Sequence, residues 1–116
     1  MTINMSFTLE GSIENRKLSL ICTGAVLDYE GFKAFKKELF AIAKSSELMH
    51  LENKAFDQLE VKFIDSHPLP DYLIGFFLKI SERDKIPVSL TTNDKKMLNF
   101  FISVFLDEKF DVRLFL

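Results

Sequence analysis

The chain is poor in the residue types from which reactive sites are most often built. Its 116 residues include one cysteine, Cys22, two histidines, His50 and His67, four glycines, three prolines and no tryptophan. A lone cysteine cannot close an internal disulfide or supply a Cys-x-x-Cys metal pair, and its sparing use suits a reducing compartment. Cys22 lies in the apolar run Leu18-Ser19-Leu20-Ile21-Cys22, where a buried, inert thiol is expected. The two histidines stand in different segments with no His-Glu-x-x-His spacing, and four scattered glycines make no phosphate-cradling loop. No catalytic constellation emerges, so the chain is expected to be neither an enzyme nor the carrier of a cofactor or metal.

Charge of one sign is also missing. Fifteen basic residues oppose seventeen acidic ones for a net charge of -2, and the lysines and arginines are scattered rather than gathered into a stripe, which speaks against nucleic acid as a partner. The longest apolar stretch, Tyr72 to Leu78, is far short of the roughly 20 residues a membrane span requires. Met1 to Phe7 lacks the basic start and apolar run of a signal peptide. The expected location is therefore cytoplasmic, without direct membrane insertion.

What the chain does have is apolar bulk: 47% hydrophobic residues, among them 13 phenylalanines. That suffices for one core, so residues 1–116 are expected to form a single domain. Phe7 to Ile13 alternates as a strand does, Glu14-Asn15-Arg16 breaks it, and Lys17 to Thr23 resumes, which predicts a hairpin. After Asp28 the period becomes helical, with Phe32, Phe35, Leu39 and Ile42 on one face and Lys33, Lys36, Lys37 and Glu38 on the other, ending near Lys44-Ser45-Ser46. Glu47 to Asn53 reads as a connection. Between Lys54 and Asp65 two strand registers compete: Leu59, Val61 and Phe63 alternate, whereas Ala55 and Phe56 could instead form the strand. His67-Pro68-Leu69-Pro70 is expected to open the next helix, since a first-turn proline lacks only an amide that has no helical partner. Leu73, Phe76, Phe77 and Ile80 form its stripe. Ile86 to Leu90 reads as a strand with Pro87 at its start, Thr92-Asn93-Asp94 caps a third helix bearing Met97, Leu98, Phe101 and Phe105, and Asp111 to Phe115 closes as a strand. The expected fold class is α/β in the order β-β-α-β-α-β-α-β, a mixed sheet with helices packed against it.

One position combines features that could carry a switch. Phe63-Ile64-Asp65-Ser66 is an apolar run that ends in Asp-Ser and leads into a helix. A phosphate on Ser66 would be partly accommodated by the helix N-terminus while adding roughly -1.5 to -2 charge beside Asp65. The plainer alternative is that Ser66 simply caps the helix.

On these residues the chain resembles the STAS domain of anti-sigma-factor antagonists and sulfate-transporter tails. Gly24-Ala25-Val26-Leu27-Asp28 is similar to the family's Gly-x-Leu-Asp step with one residue added, Lys54 to Ser66 to its strand, short loop and Asp-Ser signature, and Ile86 to Leu90 with Asn93 to Phe105 to its later strand and last helix. The resemblance implies a non-catalytic regulatory module that binds a protein partner, such as a kinase-like anti-sigma factor or another signalling protein. It implies Ser66 as the phosphorylated residue, Asp65, His67 and Asp28 as its neighbourhood, and no cofactor. The family continues Ser-Gly-Leu-Gly, whereas this chain reads Ser66-His67-Pro68-Leu69-Pro70, and two prolines make a poorer anion nest.

Tyr72, Ile74 and Leu78 lie off the main stripe of their helix, as do Phe100 and Val104 of theirs. Either neighbouring elements bury both stripes, or an apolar patch remains for a partner or a second copy in a homodimer. Leu69, Tyr72 and Leu73 are the expected docking residues. Two further readings stay open: a constitutive STAS subunit of an ATPase or transport complex, and a small-ligand module in which Asp65, Ser66 and His67 act together.

Overall fold

The computed structural model of the protein describes residues 6–43, 56–104 and 106–115. His50, Ala55, Phe105 and the connection at 47–53 lie outside the described residues. Among those described, the order is β1 (Phe7–Glu14), β2 (Lys17–Gly24), α1 (Tyr29–Ile42), β3 (Gln58–Ile64), α2 (Asp71–Glu82), β4 (Val88–Thr92), α3 (Lys95–Ser103), a 3-10 turn (Leu106–Glu108) and β5 (Asp111–Leu114). The expected α/β order is therefore present.

The five strands form one sheet in sequential order, β1 and β2 antiparallel and each later neighbour parallel. Asn15 and Arg16, with φ of 51° and 64°, turn the β1–β2 hairpin in two residues, the left-handed geometry whose twist matches that of the strands. The alternation of Leu59, Val61 and Phe63 decides the register of β3: all three are buried, while Lys62 and Glu60 point the other way. Gly24 ends β2 at φ 98°, and a Cβ there would collide with the Ser6 carbonyl oxygen, so both the dihedral and the close approach require glycine.

Sequential parallel strands joined by right-handed crossovers put every connecting helix on the same side. Leu18, Leu20 and Cys22 of β2, Leu59, Val61 and Phe63 of β3 and Val88, Leu90 and Thr92 of β4 are buried on that side. Phe35, Phe63, Phe77 and Phe101 are fully enclosed, and ring contacts run from Phe7 to Phe35 (6.1 Å), Phe35 to Phe77 (6.0 Å) and Phe77 to Phe63 (6.1 Å). One hydrophobic cluster results. Among the described residues no helix covers the opposite sheet face, which is mostly polar, with Lys17 and Glu60 ion-paired across it at 2.7 Å.

Helix starts follow their caps. Asp28 accepts from the Gly31 amide at 2.8 Å to begin α1, and Asp94 accepts from the Lys96 amide at 2.8 Å to begin α3. The start of α2 differs from expectation. Its N-cap is Pro70, extended at φ -75° and ψ 153° without a side-chain cap, so His67-Pro68-Leu69-Pro70 is a loop and the helix begins at Asp71. No helix among the described residues is long and apolar enough to cross a membrane.

Candidate functional site

The parallel strands β2, β3 and β4 all end at one edge of the sheet, at Gly24, Ile64 and Thr92. In open α/β sheets this carboxyl edge is where loops from successive strands converge and ligands bind. Asp28, Asp65, Ser66, His67 and Asn93 all lie on loops at this edge.

Asp65 takes the left-handed conformation at φ 53°, which short polar residues tolerate, and turns the chain out of β3. Its amide donates to Asn93 Oδ1 at 3.1 Å while Asn93 Nδ2 donates to Asp65 Oδ1 at 3.2 Å. The exit loop of β3 is thereby clamped to that of β4. The same turn sends Ser66 inward: it is 0% exposed, its hydroxyl within donating distance of the Ile64 carbonyl (3.1 Å) and the Cys22 carbonyl (3.2 Å).

One reading of Ser66 falls with this placement. It does not cap α2, which starts five residues later at Asp71 with Pro70 as its N-cap. The hydroxyl bridges two strand ends from inside, closed to an approaching kinase in this conformation. His67 is exposed and sets its ring against Phe100 of α3, centroids 6.3 Å apart. Asp65, Ser66 and His67 therefore diverge toward Asn93, Cys22 and Phe100, and no acid/base constellation forms among them. Asp28 is occupied as the α1 cap.

Burial pushes the Cys22 thiol up to about 11, an effect only partly offset by the nearby Ser66 hydroxyl. A thiol so protonated is a poor nucleophile. Among the described residues no group of three or more His, Cys, Asp or Glu could hold a metal ion.

The apolar surface differs from expectation as well. Leu69 (5% exposed) and Leu73 (0%) are core residues: Leu73 shares the buried stripe of Phe77 and Ile80, and Leu69, in the loop before the helix, joins the same hydrophobic cluster. Tyr72 alone of the three expected docking residues is outside, at 54%. It belongs to a row of rings that sequence reading assigned only in part. Tyr72 lies 5.1 Å from Tyr29 and 5.9 Å from Phe32, Phe32 lies 6.0 Å from Phe76, and Phe76 lies 6.3 Å from Phe40. Tyr29 is 49% exposed, whereas the three phenylalanines are half-buried. The available signal was a second helical stripe on α1, Tyr29, Phe32, Lys36 and Phe40 at i, i+3, i+7 and i+11, and its counterpart Tyr72, Phe76 and Lys79 on α2. Side by side, the two stripes make a continuous aromatic row between α1 and α2.

No family model matches the chain, and neither does any curated protein.

Proposed function

We propose that this chain is a non-catalytic, STAS-like regulatory module that receives a protein partner on the α1/α2 aromatic row. The β-β-α-β-α-β-α-β order, the Gly24 to Asp28 step and Asp65-Ser66 at the exit of β3 support the STAS reading. The observation that carries docking is the row itself: two tyrosines about half exposed, in ring contact across two helices. Isolated surface apolar residues are ordinary, but a contiguous aromatic patch marks an interaction site, because large rigid rings bury much area for little lost side-chain freedom. The partner class is a signalling protein such as a kinase-like anti-sigma factor.

Burial of Ser66 favours a standing complex, of the kind a constitutive subunit makes with an ATPase, over a phosphoserine switch. Affinity capture with wild type, Tyr29→Ala/Tyr72→Ala and Ser66→Ala tests both points. Loss of a partner only from the tyrosine variant supports constitutive docking on this face. A partner held equally by all three refutes the docking face, and one held by wild type and Ser66→Ala but released by a folded Ser66→Asp restores the switch.

A further inference from the structure

We infer that the α1/α2 row is built for an acidic amphipathic helix, an inference that rests on the docking reading above. The two stripes carry aromatic rings and lysines and no carboxylate. Lys36 Nζ lies 5.5 Å from the Phe32 ring centroid and Lys33 Nζ 5.0 Å from that of Tyr29, while Lys79 follows Tyr72 and Phe76 along the same face of α2. Charge on this face is only partly matched from within. Glu30 is taken by Lys33 at 3.1 Å, and among the described residues neither Lys36 nor Lys79 makes an ion pair. Asp71 follows the N-cap of α2, one residue before Tyr72 and about 100° away around the helix.

The shape selects the form of the partner and the charge selects its sign. Two neighbouring helices with rings in contact at successive turns present apolar side chains repeated at helical spacing. A third helix packs on such a row with apolar side chains at i, i+3, i+4 and i+7. Its flanking positions then lie toward Lys36 of α1 and Lys79 of α2. The Lys36 ammonium, held over the Phe32 ring in the free chain, then has carboxylates to meet. A basic helix would bring like charges together on a partly desolvated surface, which costs affinity and slows encounter.

Peptide display tests the assignment on the intact chain. The library consists of amphipathic helices with fixed leucines on one face and Glu, Lys, Gln or Ser randomised at the flanking positions. Wild type is expected to enrich Glu at the flanks. Lys36→Glu/Lys79→Glu, checked for unchanged thermal unfolding, should weaken the enriched peptide about tenfold or more and select Lys instead, and salt should weaken wild-type binding. Enrichment of neutral or basic flanks that still requires Tyr72, judged with Tyr72→Ala, overturns the acidic partner and leaves docking intact. Absence of any peptide that depends on Tyr72 overturns both.

Discussion

Ser66 offers the sharpest test of the site, because the position expected to switch a surface is enclosed. Its hydroxyl has 0% exposure and hydrogen-bonds to the carbonyls of Ile64 or Cys22. Ser66→Ala removes one donor and introduces no clash, so it should cost about 1 kcal/mol. For a chain of this length that lowers Tm by roughly 4 °C. Ser66→Asp is a different perturbation. It places a carboxylate where the hydroxyl now meets the carbonyl oxygens of Ile64 and Cys22, which repel it. An unpaired buried charge costs several kcal/mol, a large part of the 5–15 kcal/mol that holds a typical domain folded. The variant should melt far below wild type at neutral pH or fail to fold. Its carboxyl would take up a proton more readily in the folded than in the unfolded state, so stability should recover as pH falls through the raised folded-state value. Thermal unfolding by circular dichroism at two pH values reads both effects. A Ser66→Asp protein that melts within about 2 °C of wild type would show the pocket to be open, and the burial argument with it would be wrong. The same reasoning bears on phosphorylation: a kinase could reach Ser66 only after the loop opens, so modification of the folded protein should track local opening rather than encounter.

Three other outcomes follow from the packing. Leu73→Ala should cost about 2–5 kcal/mol while Tyr72→Ala changes stability by under about 1 kcal/mol, a contrast that chemical denaturation measures and that equal effects would contradict. Gly24→Ala meets both a positive φ and the Ser6 carbonyl and should lose on the order of 2 kcal/mol or more, whereas Gly75→Ala, mid-helix in α2 with no atom within 4 Å of the added Cβ, should gain about 0.5–1 kcal/mol; the same sign for both would refute the backbone account. Cys22 holds its proton to about 11 in the folded chain against 9.0 for the free thiol, so its contribution is complete below about 9 and is lost as pH rises toward 11, by at most roughly 3 kcal/mol. Subtracting the pH profile of Cys22→Ala from that of wild type isolates this loss, and parallel profiles would contradict it.

Much of the fold was legible because it rests on local periodicity. The hairpin and the three helical stripes each follow from local apolar spacing, whereas the register of β3, open between two alternations in the sequence, is decided by the burial of Leu59, Val61 and Phe63. The misplaced start of α2 has a specific cause. Proline is compatible with both the first helical turn and the extended residue before it, so Pro68 and Pro70 permit several starts, and the structure uses Pro70 as the cap. Ser66 was misread because its orientation depends on one dihedral. Continuing the alternation of β3 past Ile64 does not reveal that Asp65 turns left-handed, and only that turn, held by Asn93 from another loop, directs Ser66 inside. Docking residues failed for a related reason. Leu73 already belonged to the buried stripe, whereas the aromatic row exists only once α1 and α2 lie together.

The two faces of this two-layer fold make unequal demands on any partner. The open sheet face presents Lys17 with Glu60, Lys62 stacked at 4.4 Å on Phe115, and Ile21 as its exposed large apolar residue. Covering it would strip water from charges already satisfied, and desolvation of such pairs offsets most of what the contact returns. On α3, Ile102 and Val104 are exposed at 47% and 42% but belong to no ring row. Between α1 and α2 the rings touch one another already, so a partner there adds apolar burial. The polarity of the sheet face and the continuity of the aromatic row thus support the recognition proposed for the helical layer. A partner bound across Tyr29 and Tyr72 would lie over the starts of α1 and α2, where it would hold the Asp65 to Pro70 loop closed. Docking and exposure of Ser66 then oppose each other, and binding should protect the loop amides from hydrogen exchange.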